Sequence, residues 1–173
     1  MQKNKNHSKL SRRKALGILG IGGISIQFPM ACNGWQSSKE TLEKDLVHYM
    51  AVSEISKMIK SRGISSSELT QLMLNRITVV DKKLNSFITV MYESALNSAK
   101  VLDEELKTGK YRGPLHGVPI AIKDLLFITS APTTGGHAFR TDFVPTYNST
   151  VIDKLQKAGA VILGKLNLTE GAM

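Results

Sequence analysis

Apolar positions recur at helical spacing in four stretches of the chain and form short continuous runs in three others. From Val47 to Ser61 the positions Met50, Ile55, Met58 and Ile59 predict one helix, which Gly63 closes. Ser65-Ser66-Ser67-Glu68 then has the pattern of a capping box, in which a hydroxyl caps a free N–H and the carboxylate reaches back. Leu69, Leu72, Met73, Arg76, Ile77 and Val80 fall on one face of the helix that follows. Leu84-Asn85-Ser86 breaks the pattern, and Phe87–Met91 reads as a strand. Ala95, Leu96, Ala99, Leu102 and Leu106 give a third helical stripe, ended by Gly109.

The second half alternates differently. Val118-Pro119-Ile120-Ala121-Ile122 follows the turn residues Gly113-Pro114 and Gly117. Its continuous apolarity suits a strand buried on both faces, with Pro119 near the strand's start or at an irregular point of pairing. A loop rich in Thr and Gly passes through Thr133-Thr134-Gly135-Gly136. Ser149 is placed to cap a helix with Val151, Ile152 and Leu155 on its core face, ending at Gly159, and Ala160–Gly164 is a further buried strand. Strand, loop, helix and strand in this order predict a βαβ-type layer, preceded by helices that cover one side, so the fold class is α/β. There is no internal repeat or low-complexity tract after the first forty residues.

Those forty residues read as an address. Residues 1–14 are polar and basic, Ala15–Phe28 is apolar and rich in glycine, and Ala31 precedes Cys32. This is the order of an export signal, and the apolar run of about 14 residues is short of the ~20 needed to span a membrane. Ser11-Arg12-Arg13-Lys14-Ala15-Leu16 resembles a twin-arginine export motif, with Ala15 where an aromatic is usual. Met30-Ala31-Cys32 partly resembles a lipobox, with Pro29 where an aliphatic residue is expected, which makes Cys32 the candidate for lipid attachment. The competing readings are a plain cleaved signal with an incidental cysteine, and a buried N-terminal helix in a cytosolic protein. The expected organisation is an export signal over 1–32, a polar linker over 33–46 and a folded domain over 47–173, in the periplasm or anchored to a membrane through Cys32.

Charge supports this division. The chain carries +9, but six of its 23 Lys and Arg lie before residue 15 and the first acid is Glu40. What remains is 17 basic against 14 acidic residues, an ordinary balance, with no basic stripe interleaved with aromatics. Nucleic acid is therefore not an expected partner. One cysteine excludes an internal disulfide and a cysteine-based zinc site, and His7, His48, His116 and His137 show no ligand spacing, so no metal is expected.

Lys123 is the residue with candidate chemistry. It follows the apolar run at a strand's carboxyl end, where open α/β sheets bind ligands. Apolar surroundings favour the neutral amine of a lysine, the form that accepts a proton, so this placement suits a general base. Lys123-Asp124 also reads as a solvated ion pair ending a strand. His116, between Pro114 and Gly117, is expected to be structural. Thr133, Thr134 and Gly135 either line an active-site mouth or form a turn, and Asn167 is placed to orient nearby backbone.

The words around Lys123 decide between its two readings. Gly113-Pro114-Leu115-His116-Gly117-Val118-Pro119-Ile120-Ala121-Ile122-Lys123-Asp124 resembles the lysine motif of the amidase signature family. The similarity continues through Ala131-Pro132-Thr133-Thr134-Gly135-Gly136 and resumes from Ala158 to Glu170. The resemblance implies a mixed sheet covered by helices, incomplete here on its C-terminal side, and no cofactor. It implies a Ser–cis-Ser–Lys triad that hydrolyses a carboxamide C–N bond of a small molecule. Lys123 matches the triad's lysine and Asp124 stands beside it as a supporting residue. Both serines belong to a Gly-Ser-Ser-Gly-Gly-like segment that these 173 residues do not contain, so the chain alone is expected to be inactive. The alternatives are the amidase component of an aminoacyl-tRNA amidotransferase, which the same region resembles, and a non-catalytic remnant or binding domain.

Overall fold

The computed structural model describes residues 46–172. The expected export signal, the linker up to Lys44-Asp45 and Cys32 lie outside the described residues. Four α-helices and three strands follow one another: α1 Val52–Lys60, α2 Ser66–Leu84, β1 Phe87–Val90, α3 Tyr92–Lys107, β2 Pro119–Lys123, α4 Thr150–Lys157 and β3 Val161–Leu166. The helix expected over Val47–Ser61 is two pieces, a 3-10 turn at Val47–Tyr49 and then α1. Met50 and Ala51 between them are extended, and the Glu54 carboxylate caps the new helix by accepting the Ala51 N–H at 2.8 Å.

The start of α2 is fixed twice. Ser65 Oγ accepts the Glu68 N–H at 3.0 Å, the hydroxyl half of the expected capping box. Asp103 of α3 accepts the Ser66 and Ser67 N–H groups at 2.7 and 3.0 Å, placing a carboxylate on the positive end of the helix. Asn85 ends α2 in the left-handed conformation at φ 50°. In the turn that follows, Asp81 accepts the Ser86 and Phe87 N–H groups.

The sheet has the order β1-β3-β2. β2 and β3 are parallel with α4 as their crossover, and β1 joins β3 antiparallel, so the sheet is mixed. Pro119 is the first residue of β2, where its missing N–H costs least. One face carries Leu74 of α2, Ala95, Ala99 and Leu102 of α3, and Val161 and Leu163 of β3. The other carries Met91, Ile122, Ile128, Ala131, Ile152 of α4 and Ile162. A third cluster joins Val47, Ile59, Ile64, Leu69 and Val118. β3 is covered on both faces, as its continuous apolar run predicts.

Two glycines allow this packing. Gly117, at φ +76°, lies against the start of α2, and a Cβ there would come within 1.9 Å of Ser66 Oγ. In β3, a Cβ on Gly164 would come within 2.2 Å of the Thr89 carbonyl oxygen, so only glycine lets β1 approach here. Gly164 also sits at a bulge, because Ile120 faces Ile162 while Ala121 faces Gly164. That extra residue in β3 breaks its period of two.

Candidate active site

Lys123 ends β2 with its side chain exposed, and its backbone partner on β3 is Leu166. The apolar enclosure that the sequence suggests for Lys123 is not present in the described residues. The amine makes no ion pair there, so the expected solvated Lys123–Asp124 pair is absent. Asp124 turns inward instead and is completely buried.

The partner of Asp124 is Lys165. Its Nζ lies 2.7 Å from Asp124 Oδ1, and both side chains are fully cut off from solvent. Lys165 also donates to the Pro132 carbonyl at 3.1 Å and to Thr133 Oγ1 at 2.5 Å. Three acceptors thus surround an ammonium that has three protons to give. The second Asp124 oxygen accepts the Thr134 N–H at 2.9 Å and the Thr134 hydroxyl at 2.5 Å. Burial pushes the Lys165 amine below its usual lysine range, with Asp124 opposing that shift.

Lys165 does not stand out in the sequence pattern, and the bulge explains why. Strict alternation from Val161 and Leu163 would send Lys165 beneath α2 and α3. The shift at Ile120/Ala121 instead pairs Lys165 with Ile122, which packs with Ile162 and Ile128 on the opposite face. The available signal is a lysine directly after five residues that read as a buried strand.

The Thr-Gly loop is built onto this pair. Thr133 and Thr134 are its ligands, Gly135 N–H donates to the Asp124 carbonyl at 3.1 Å, and Gly136 N–H donates to Thr134 Oγ1 at 3.0 Å. Asp124 N–H in turn donates to the Leu166 carbonyl at 3.2 Å. Of the two readings left open for Thr133, Thr134 and Gly135, the geometry shows a turn held by buried charge beside the end of β2.

The remaining candidates fall into supporting places. His116 is fully buried, and its Nδ1 accepts the Arg112 N–H at 3.2 Å, which leaves the proton on Nε2 to meet the Leu102 carbonyl at 3.0 Å. Both ring nitrogens are committed to backbone, as its structural reading requires. Ser149 stands at the N-cap of α4, but its hydroxyl accepts the Phe127 N–H at 2.8 Å and ties the loop after Lys123 to that helix. Asn167 orients backbone as expected, with its N–H on the Ser86 carbonyl at 2.7 Å and its side-chain amide on the Asn85 carbonyl at 3.2 Å.

The profile of the Amidase family matches residues 68–173. A protein of Mycobacterium bovis named "Putative amidase AmiD" is 43% identical over 131 residues, covering 76% of this chain and 28% of that protein. A glutamyl-tRNA(Gln) amidotransferase component of Dehalococcoides mccartyi is 44% identical over 124 residues, covering 72% of this chain and 25% of that protein. Among solved structures, native peptide amidase from Stenotrophomonas maltophilia superposes with a TM-score of 0.67 at 33% identity, covering 70% of this chain and 25% of the other. An amidase family protein from Bacillus anthracis gives 0.69 at 29% identity, covering 80% and 28%. The chain spans about a quarter of the length of these relatives. An α/β layer with a lysine at a strand end, a Thr-Gly loop beside it and a matching family profile together establish that the chain belongs to the amidase family.

Proposed function

We propose that this chain supplies the lysine-bearing part of a serine amidase that hydrolyses the C–N bond of a small carboxamide. The observation that carries the reading is the place of Lys123, exposed at the carboxyl end of β2 with an amine that makes no ion pair among the described residues. In the reaction, neutral Lys123 takes a proton from a bridging serine, which takes one from the nucleophilic serine. The serine oxygen attacks the carbonyl carbon, backbone N–H groups of a glycine-rich loop hold the oxyanion, and the C–N bond breaks as the amine leaves with a proton. Water then cleaves the acyl-serine ester. The reading requires the two serines of a Gly-Ser-Ser-Gly-Gly-like segment, which these 173 residues do not contain. The reading needs no cofactor, metal or nucleic acid.

The similarity to the amidotransferase component favours one second reading, in which the released ammonia is transferred to an acyl group carried by a charged tRNA. The test is to express these residues with the family's serine-bearing segment and assay a panel of small carboxamides for ammonia release. Release without partner proteins or tRNA supports the amidase, whereas release only in their presence supports the transferase.

For location, we propose export directed by Arg12-Arg13, with Cys32 as the site of lipid attachment after signal cleavage. The support is the order of basic, apolar and small residues over 1–32. Export also distinguishes the two activities, since tRNA charging is cytosolic chemistry.

A further inference from the structure

Lys165 and Asp124 form a buried ion pair that the proposed triad does not use. An ammonium and a carboxylate removed from water are costly to keep, and apolar residues of similar volume often serve stability as well or better. The pair's contacts indicate what it does instead. Asp124 is the next residue after Lys123, and Lys165 is in register with Ile122, the residue before it. The backbone on both sides of Lys123 is therefore tied to β3. The same two charges hold the Pro132, Thr133 and Thr134 groups, so the Thr-Gly loop and the strand end share one anchor.

We propose that Lys165, acting through Asp124, is a positioning residue that fixes the direction in which Lys123 leaves β2 and the place of the Ala131–Gly136 loop beside it. Lys165 does not itself exchange a proton with substrate, because it is sealed from solvent and its three donors face Asp124, Pro132 and Thr133. Burial, which favours its neutral form, is opposed by Asp124, so the charge and the loop's hold depend on one another. An apolar pair in the same space would fill the volume without setting a direction, since dispersion contacts are not directional.

This inference rests on the amidase reading of Lys123, and the experiment separates the two. The double variant Asp124→Leu/Lys165→Met replaces the pair with apolar volume, and Thr134→Val removes one hydroxyl from Asp124 while keeping both charges. Thr134→Val carries the test if the double variant does not fold. Amide hydrogen exchange is followed in the 173-residue chain, and kcat and KM in the serine-bearing amidase. The expected result is a thermal midpoint close to wild type in the double variant, with exchange at Asp124 and Gly135 at least tenfold faster. kcat should fall at least tenfold while KM stays within threefold, and Thr134→Val should shift both readouts in the same direction by a smaller factor. Unchanged exchange, or faster exchange with unchanged kcat, overturns the positioning role. If Lys123→Ala retains full activity, the amidase reading fails while the exchange result still stands.

Discussion

Asp124 Oδ1 lies 2.7 Å from Lys165 Nζ, and neither side chain touches solvent. The two charges neutralise each other in a place where either alone would be strongly disfavoured. Asp124→Asn leaves the ammonium without its counter-charge, and a loss of about 3–5 kcal/mol is expected in urea unfolding of the chain. Lys165→Met leaves the carboxylate alone and should cost a similar amount. The double apolar variant should recover most of that loss, giving a coupling energy well outside additivity.

Gly117 is predicted to be the least replaceable glycine of the β2 approach. Its φ of +76° already disfavours a side chain, and the new Cβ would meet Ser66 Oγ at 1.9 Å inside the buried start of α2. Gly117→Ala should cost about 3 kcal/mol through strain and overpacking. Gly109 is the control, with φ +87° but open space around its Cβ position. Gly109→Ala should cost only about 1 kcal/mol. Equal losses for the two variants would show that backbone strain alone sets the penalty.

Acid should weaken the seam between α3 and α4 within a defined window. Arg112 holds Glu105 through two bonds of 2.6 Å and also donates to the Gln156 carbonyl at 2.9 Å. Arg112 first, and Lys110 second, hold the Glu105 carboxyl down at about 2, against 4.5 for a free group. Because the folded value is the lower one, the stabilisation is complete above pH 4.5 and is lost as pH falls toward 2. With screening at the partly exposed arginine, the contribution is about 2 kcal/mol. Glu105→Gln should flatten the fall in stability over that window while leaving the rest of the pH curve in place.

Much of this architecture is legible in the chain. The stripe from Ala95 to Leu106 became α3 with Ala95, Ala99 and Leu102 buried, and the runs around Ile120 and Ile162 became adjacent parallel strands. What escaped the pattern depends on contacts between distant segments. The extended Met50-Ala51 step interrupts an otherwise helical apolar spacing. Ser149 has the right type and place for a cap, yet Phe127 claims its hydroxyl. Lys165 faces the loop because a bulge in β3, opposite Ile120 and Ala121, shifts that strand's parity, and the apolar spacing of β3 does not encode a bulge that arises in its pairing with β2. For the same reason Asp124 looks in sequence like the partner of its neighbour rather than of a residue 41 positions later.

Export makes its own prediction. Replacing Arg12-Arg13 with Lys-Lys should leave the protein in the cytosol if the twin-arginine route carries it, as followed by cell fractionation. Cys32→Ser should release the exported protein from the membrane fraction while leaving translocation intact. Unchanged distribution of both variants would remove the proposed address.

The central claim is that Lys123 is the base that activates a serine nucleophile. The most direct measurement is acylation by a fluorophosphonate serine probe at neutral pH, using these residues joined to the family's serine-bearing segment. The account predicts rapid labelling of the parent and loss of labelling in Lys123→Ala, with the variant's fold retained by circular dichroism. Labelling of a folded Lys123→Ala protein at the parent's rate would contradict it.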